Sequence, residues 1–161
     1  MSEKEMFLQA WDREYQTTLR VLNAFPTDRL DLKPAESSRS ARELLWTFVT
    51  EMGVIDGAIK GQIDFMNMPA PPATKQEIIS TYQASNTDMI TKVKNLPDGE
   101  LNTTVLFPVA PKQMGKLRKV DVFWGVLMDS VHHRGQLSVY LRLAGAKVPS
   151  IYGPTADEPW M

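Results

Sequence analysis

The 161-residue chain contains no cysteine. That excludes disulfides, thiolate metal ligands and cysteine nucleophiles together. It suits a reducing cytoplasm, the compartment expected here. Histidine is nearly as scarce, for His132 and His133 are the whole supply. An excess of one charge is also missing: 18 basic and 19 acidic residues leave a net charge of −1. Nucleic-acid binding is not expected, because phosphate recognition draws on a basic excess. Long apolar runs are absent too. The longest, Val122 to Met128, falls well short of the roughly 18 residues of a membrane span. The beginning of the chain, MSEKEMFLQAWDREYQ, is charged and has no apolar signal segment. No membrane association is expected. One local basic run, Lys112 to Lys119, carries no interleaved aromatics and reads as a solvated turn leading into a helix.

What is present describes an ordinary globular chain. Hydrophobic residues make up 43% and charged residues 23%, and the length suits one domain over residues 1–161. Three capping boxes mark helix starts: Ser2 with Glu5, Ser40 with Glu43, and Thr74 with Glu77. The first helix is predicted from about Glu3 to Ala24. Its core stripe is Phe7, Trp11, Tyr15, Thr18, Leu22 and Phe25. The second runs from about Ala41 to Gly61 and buries Leu44, Leu45, Phe48, Met52, Ile55 and Ile59. The third runs from about Lys75 to Asn95, and Pro97-Asp98-Gly99 ends it with turn chemistry. Thr103 to Phe107 is β-prone, but Pro108 and Pro111 limit it to a short or edge strand, so the crossover has room for a small hairpin. The fourth helix runs from about Val120 to Ala144, stopping at Gly145, and is apolar over much of its circumference. Such a helix is central in a bundle, or faces both its own core and a partner. Residues 146–161 form an irregular tail. The fold class is therefore all-α: a four-helix bundle with long crossover connections.

The two histidines cannot share one role, because adjacent helical residues point about 100° apart. Asp129 stands four residues before His133, on the same helical face, where the two can hydrogen-bond or share a metal. His132 has Met128 and Gln136 at that spacing, so His133 is the better site residue. A catalytic zinc takes three protein ligands, so a third donor here must be oxygen. The second helix offers Glu51, and Thr47 one turn earlier on the same face. The plainer expectation is a local Asp129–His133 ion pair with Glu51 in solvent. Other residues invite similar weighing. Arg134 is expected to pair with Asp157 or Glu158 as the tail folds back. Gly135 is expected at a close helix contact, Tyr140 in the core, and Trp46 either as a pocket wall or as core filling.

The segment VHHRGQLSVYLRLAGAKVPSIYGPTADEP resembles the C-terminal signature of the DinB/YfiT-like superfamily, and FPTDRLDLKPAESSRSARELLW resembles that family's passage between the first two helices. The order of elements matches over nearly the whole chain. The resemblance implies a bundle with non-nearest-neighbour connections, often dimeric. It implies a divalent metal held by three histidines in many members, and thiol-dependent transferases or isomerases among some relatives. Carried across by residue, the three ligand positions fall on Thr47, Asp129 and His133; His132 matches a histidine that is not usually a ligand. Two positions have thus departed from histidine, and Glu51 could supply a replacement. The leading expectation is a homodimeric bundle that binds a small molecule, a thiol or a partner in a cleft whose metal site is eroded. The alternative is a divalent-metal-dependent enzyme of transferase or hydrolase type, with zinc, nickel or manganese as the candidate ion.

Overall fold

A computed structural model describes residues 1–161. The helices are α1 (Glu3–Ala24), α2 (Ala41–Lys60), α3 (Lys75–Asn95) and α4 (Lys119–Leu143). Strands β1 (Thr104–Ala110) and β2 (Gln113–Arg118) form an antiparallel hairpin between α3 and α4. Short 3-10 turns occupy Thr27–Arg29 and Asp98–Asn102. No helix is long and apolar enough to cross a membrane.

Each of the three capping boxes forms in full: the hydroxyl of Ser2, Ser40 or Thr74 accepts from the backbone three residues on, and the glutamate reaches back. Two helices end in left-handed glycines, Gly61 at φ +86 and Gly145 at φ +73, a conformation that a Cβ would strain. The strand extends past Pro108, further than proline content predicts. A two-stranded ribbon leaves an open edge on each strand, and the register slips between Pro108 and Ala110, so a missing N–H is tolerated there.

Each of α1 and α2 packs between α3 and α4. Of the consecutive pairs only α2 and α3 are main neighbours; α1 does not pack chiefly on α2, nor α3 on α4, which is why the connections between those pairs are long. The predicted stripe of α1 is buried throughout. Phe7 lies 5.5 Å from the ring of Phe123 on α4, and Trp11 donates through its indole N–H to Asn86 of α3 at 2.8 Å.

The basic run 112–119 begins in an exposed turn at Lys112 and enters α4 at Lys119 as expected, but Gln113–Arg118 between them form β2. Arg118 pairs with Asp121 at 2.6 Å. Lys119 is buried, and its ammonium donates to the Ile59 carbonyl and to Glu100. Pairing in β1–β2 recruits residues whose own composition favours a turn.

Arg134 also differs from expectation. It is 1% exposed, and its guanidinium donates to Glu14 Oε2 at 2.6 Å, to Thr18 Oγ1 at 3.1 Å and to the Tyr152 hydroxyl. Asp157 and Glu158 instead hold the tail: Asp157 pairs with Arg142 and accepts from the Val148 N–H, and Glu158 accepts from the Ser150 N–H. The reason is register. Arg134 lies on the inward line Phe123–Leu127–Arg134–Leu141, facing α1. Gly135 lies on the opposite side, where an added Cβ would meet nothing within 4 Å. Close packing does not explain it.

Candidate metal centre

Helical register aims two acidic side chains and one imidazole at a single point. Glu51 falls seven residues after Leu44 and three after Phe48, both in the core line of α2. It is consequently 5% exposed and not in solvent as expected. His133 sits on α4 between Ser130 and Leu137 on its inward face and is 6% exposed. Its Nδ1 lies 2.7 Å from Glu51 Oε1 and 3.7 Å from Asp129 Oδ2. The nearer partner is thus the carboxylate on the other helix, not the one four residues away. Phe48 meets the His133 ring edge-on at 6.5 Å between centroids and walls it in. One potential ligand atom from each of Glu51, Asp129 and His133 lies within 4.8 Å of the others. The Asp129 side chain is 57% exposed and free to adjust; the other two are fixed by packing.

The electrostatics leave this cluster incomplete. Burial pushes the Glu51 carboxyl above its ordinary range; contact with His133 opposes the shift, and the Asp129 charge adds to it. Glu51 Oε2 is buried and makes no hydrogen bond of good geometry, although the Ser130 hydroxyl is close enough to lower this carboxyl slightly. Buried carboxylate oxygens are normally satisfied by a donor or a cation. In the form that a metal would require, with both carboxylates ionised and the imidazole neutral, the set would carry −2, which a divalent ion balances. The donor set therefore fits a divalent metal, with an oxygen-rich character suited to manganese or ferrous iron as well as zinc.

Thr47, the remaining predicted ligand position, is otherwise engaged. Its hydroxyl donates to the Glu43 carbonyl at 3.0 Å and accepts from Arg39 Nη1 at 2.9 Å. His132 lies at the rim, with its Nε2 2.8 Å from Gln136 Nε2. It lines a cleft of about 490 Å³ together with Glu51, Asp129, Phe65, Phe107 and Val126. Phe65 and Phe107 meet edge to face at 5.7 Å and form its apolar end. Trp46 walls a different cleft, between α2 and α3, and donates to the Pro69 carbonyl at 2.6 Å. Tyr140 is buried, and its hydroxyl donates to the Arg39 carbonyl.

Sequence reasoning missed the Glu14–Arg134–Tyr152 network. Tyr152 donates to Glu14 Oε2 at 2.6 Å, and the Arg134 guanidinium lies 5.1 Å from the Tyr152 ring centroid. A signal existed. Glu14 stands three residues after Trp11 and four before Thr18, squarely in the stripe of α1. Its charge hid its inward position.

The DinB family model matches residues 1–160. The uncharacterised protein YrdA of Bacillus subtilis (strain 168) is 27% identical over 154 residues, covering 94% of this chain and 89% of its own. A DinB-like protein from Bacillus cereus ATCC 10987 superposes with a TM-score of 0.78 at 24% identity, over 92% of this chain and 97% of that one. A second DinB-like protein, YjoA from Bacillus subtilis, gives 0.74 at 19% identity, over 91% and 97%. The two structures share the fold with this bundle. With the family match spanning nearly every residue, the chain belongs to the DinB family.

Proposed function

We infer that the protein holds a divalent cation through Glu51, Asp129 and His133, and uses it to bind or activate a small molecule in the adjoining cleft. The observation that carries this reading is Glu51 Oε2, buried without a hydrogen bond beside the potential ligand atoms of Asp129 and His133. A bound divalent ion would polarise a ligand oxygen or lower the pKa of a coordinated water or thiol. The chain's own groups do the rest. Phe48 fixes the imidazole, Glu51 is presented from a rigid core line, and exposed Asp129 adjusts to the ion. Phe65, Phe107 and Val126 give the cleft an apolar side. A small organic ligand, a thiol among the candidates, fits a volume of about 490 Å³.

This differs from the expectation of an eroded site in one respect: Glu51 stands where it can replace a missing histidine. The competing account is a purely structural Glu51–His133 pair. Metal analysis of protein purified without an affinity tag separates the two. Near-stoichiometric manganese, zinc, nickel or iron, lost in His133→Ala and in Glu51→Gln, is expected. Absence of uptake after dialysis against each ion overturns the reading. A melting temperature that rises with the ion in the wild type and not in Glu51→Gln gives the same answer by linkage.

A further inference from the structure

The groove between α2 and α4 continues beyond the candidate metal centre. Toward the start of α2 it opens into a second cleft of about 470 Å³, whose lining includes Ser37, Ser38, Arg39, Leu44, Gln136 and Tyr140. The two clefts adjoin. His132 lines the first and Gln136 the second, and their side chains touch at 2.8 Å.

Arg39 is the only lysine or arginine lining either cleft. It is held at both ends. Its Nη1 donates to Thr47 Oγ1 at 2.9 Å, and its carbonyl accepts from the Tyr140 hydroxyl at 2.9 Å. The side chain is exposed; its guanidinium donates to the Thr47 hydroxyl and makes no direct ion pair, while the Glu43 carboxylate, engaged in the Ser40 cap, acts on it only at longer range. Arginine loses much rotamer freedom when it binds, so one already anchored at a cleft, with no carboxylate in contact, is prepared for an incoming anion. A single planar fork matches a single carboxylate, which takes two parallel N–H donors. The neighbouring serine hydroxyls suit the same group. A phosphate dianion would call for more than one cation.

Register sets the spacing. Thr47, which holds the guanidinium, lies four residues before Glu51, or roughly 6 Å along the helix axis. We propose that the second cleft is an acid-recognition subsite, in which Arg39 binds the carboxylate of an elongated small molecule whose other end lies at Glu51, Asp129 and His133. The part of the proposal concerning the far end rests on the metal reading above. It also gives Thr47 a different task from the family's ligand position: positioning the arginine.

Two measurements test this and keep the two readings apart. In the first, the Arg39 Nε–H resonance of metal-free protein, assigned by its loss in Arg39→Gln, is followed during titration with butyrate and with butyramide. Butyrate should shift it saturably, at least tenfold more tightly than butyramide, and Thr47→Val should weaken that binding threefold or more. Equal effects of acid and amide, or an identical shift of the likewise exposed Arg13 and Arg29, overturn the subsite. In the second, manganese-loaded protein is titrated calorimetrically with succinic monohydroxamate and with propionohydroxamate. Their affinity ratio should exceed ten in the wild type and fall near one in Arg39→Gln. A ratio near one in the wild type overturns the spanning ligand. Failure to load manganese or any other divalent ion counts against the metal reading alone, since the butyrate titration still decides the acid subsite.

Discussion

Glu51 and Glu14 are both glutamates drawn into the core by register, and their surroundings treat them differently. Glu51 meets an imidazole and another carboxylate, and burial holds its carboxyl above the ordinary range. At Glu14 burial also acts upward, but hydrogen bonds from Tyr152 and Arg134 and the charge of Arg134 outweigh it, leaving the carboxyl below its usual 4.5. The sign of the pH dependence follows. As pH falls, the unfolded chain takes up this proton before the folded protein does. The stability from Glu14 is therefore complete above about pH 4.5 and is lost as pH drops through the lower folded value. Glu14→Gln leaves a buried guanidinium poorly compensated and should cost about 3 kcal/mol near pH 7. Urea denaturation should show that gap narrowing as the buffer is taken below pH 4.5. Tyr152→Phe removes only the hydroxyl from this network and should cost about 1 to 2 kcal/mol. At this scale the sequence was half legible. The choice of His133 over His132 followed from helical spacing alone. The partner of His133 did not, because which of Asp129 and Glu51 comes nearer depends on how α2 packs against α4.

At the level of elements, the capping boxes and hydrophobic periodicity located the four helices almost to the residue, since both are local and strong. Ser40→Ala tests the most consequential cap, because α2 carries Glu51 and Thr47. It should lower stability by about 1 kcal/mol in thermal or chemical melts while the fold persists. The hairpin was legible only as a possibility. Its second strand contains Lys112-neighbouring residues with little β preference, and it exists because β1 offers a register from Thr104 with Arg118 to Ala110 with Gln113. The fate of Arg39 was illegible for a similar reason. A long polar connection gives no periodicity from which to read which side chain turns toward a cleft.

For the whole molecule, the outer face of α4 bears on the expected self-association. Met128, Val139 and Leu143 are exposed, at spacings that place them in one stripe with Gly135 between them. We propose that a second copy packs along this stripe, the bare glycine admitting close approach; because Met128 and Val139 also rim the two clefts, the partner would stand at their mouths. Sedimentation should then report twice the mass of one chain, and Leu143→Asp should return it to a single copy. A wild-type monomer at tens of micromolar overturns the proposal.

The Glu14–Arg134–Tyr152 network also constrains the order of events during synthesis. A guanidinium that is 1% exposed in the finished fold needs an acid from α1 and a hydroxyl from the tail. One partner leaves the ribosome early, the other more than a hundred residues later. Until Tyr152 has emerged, an emerging bundle carries a buried charge without its full set of partners. The last step of folding therefore waits until Tyr152 has been made, and truncation before Tyr152 should yield a chain that handles like a folding intermediate, rich in helix and prone to aggregate.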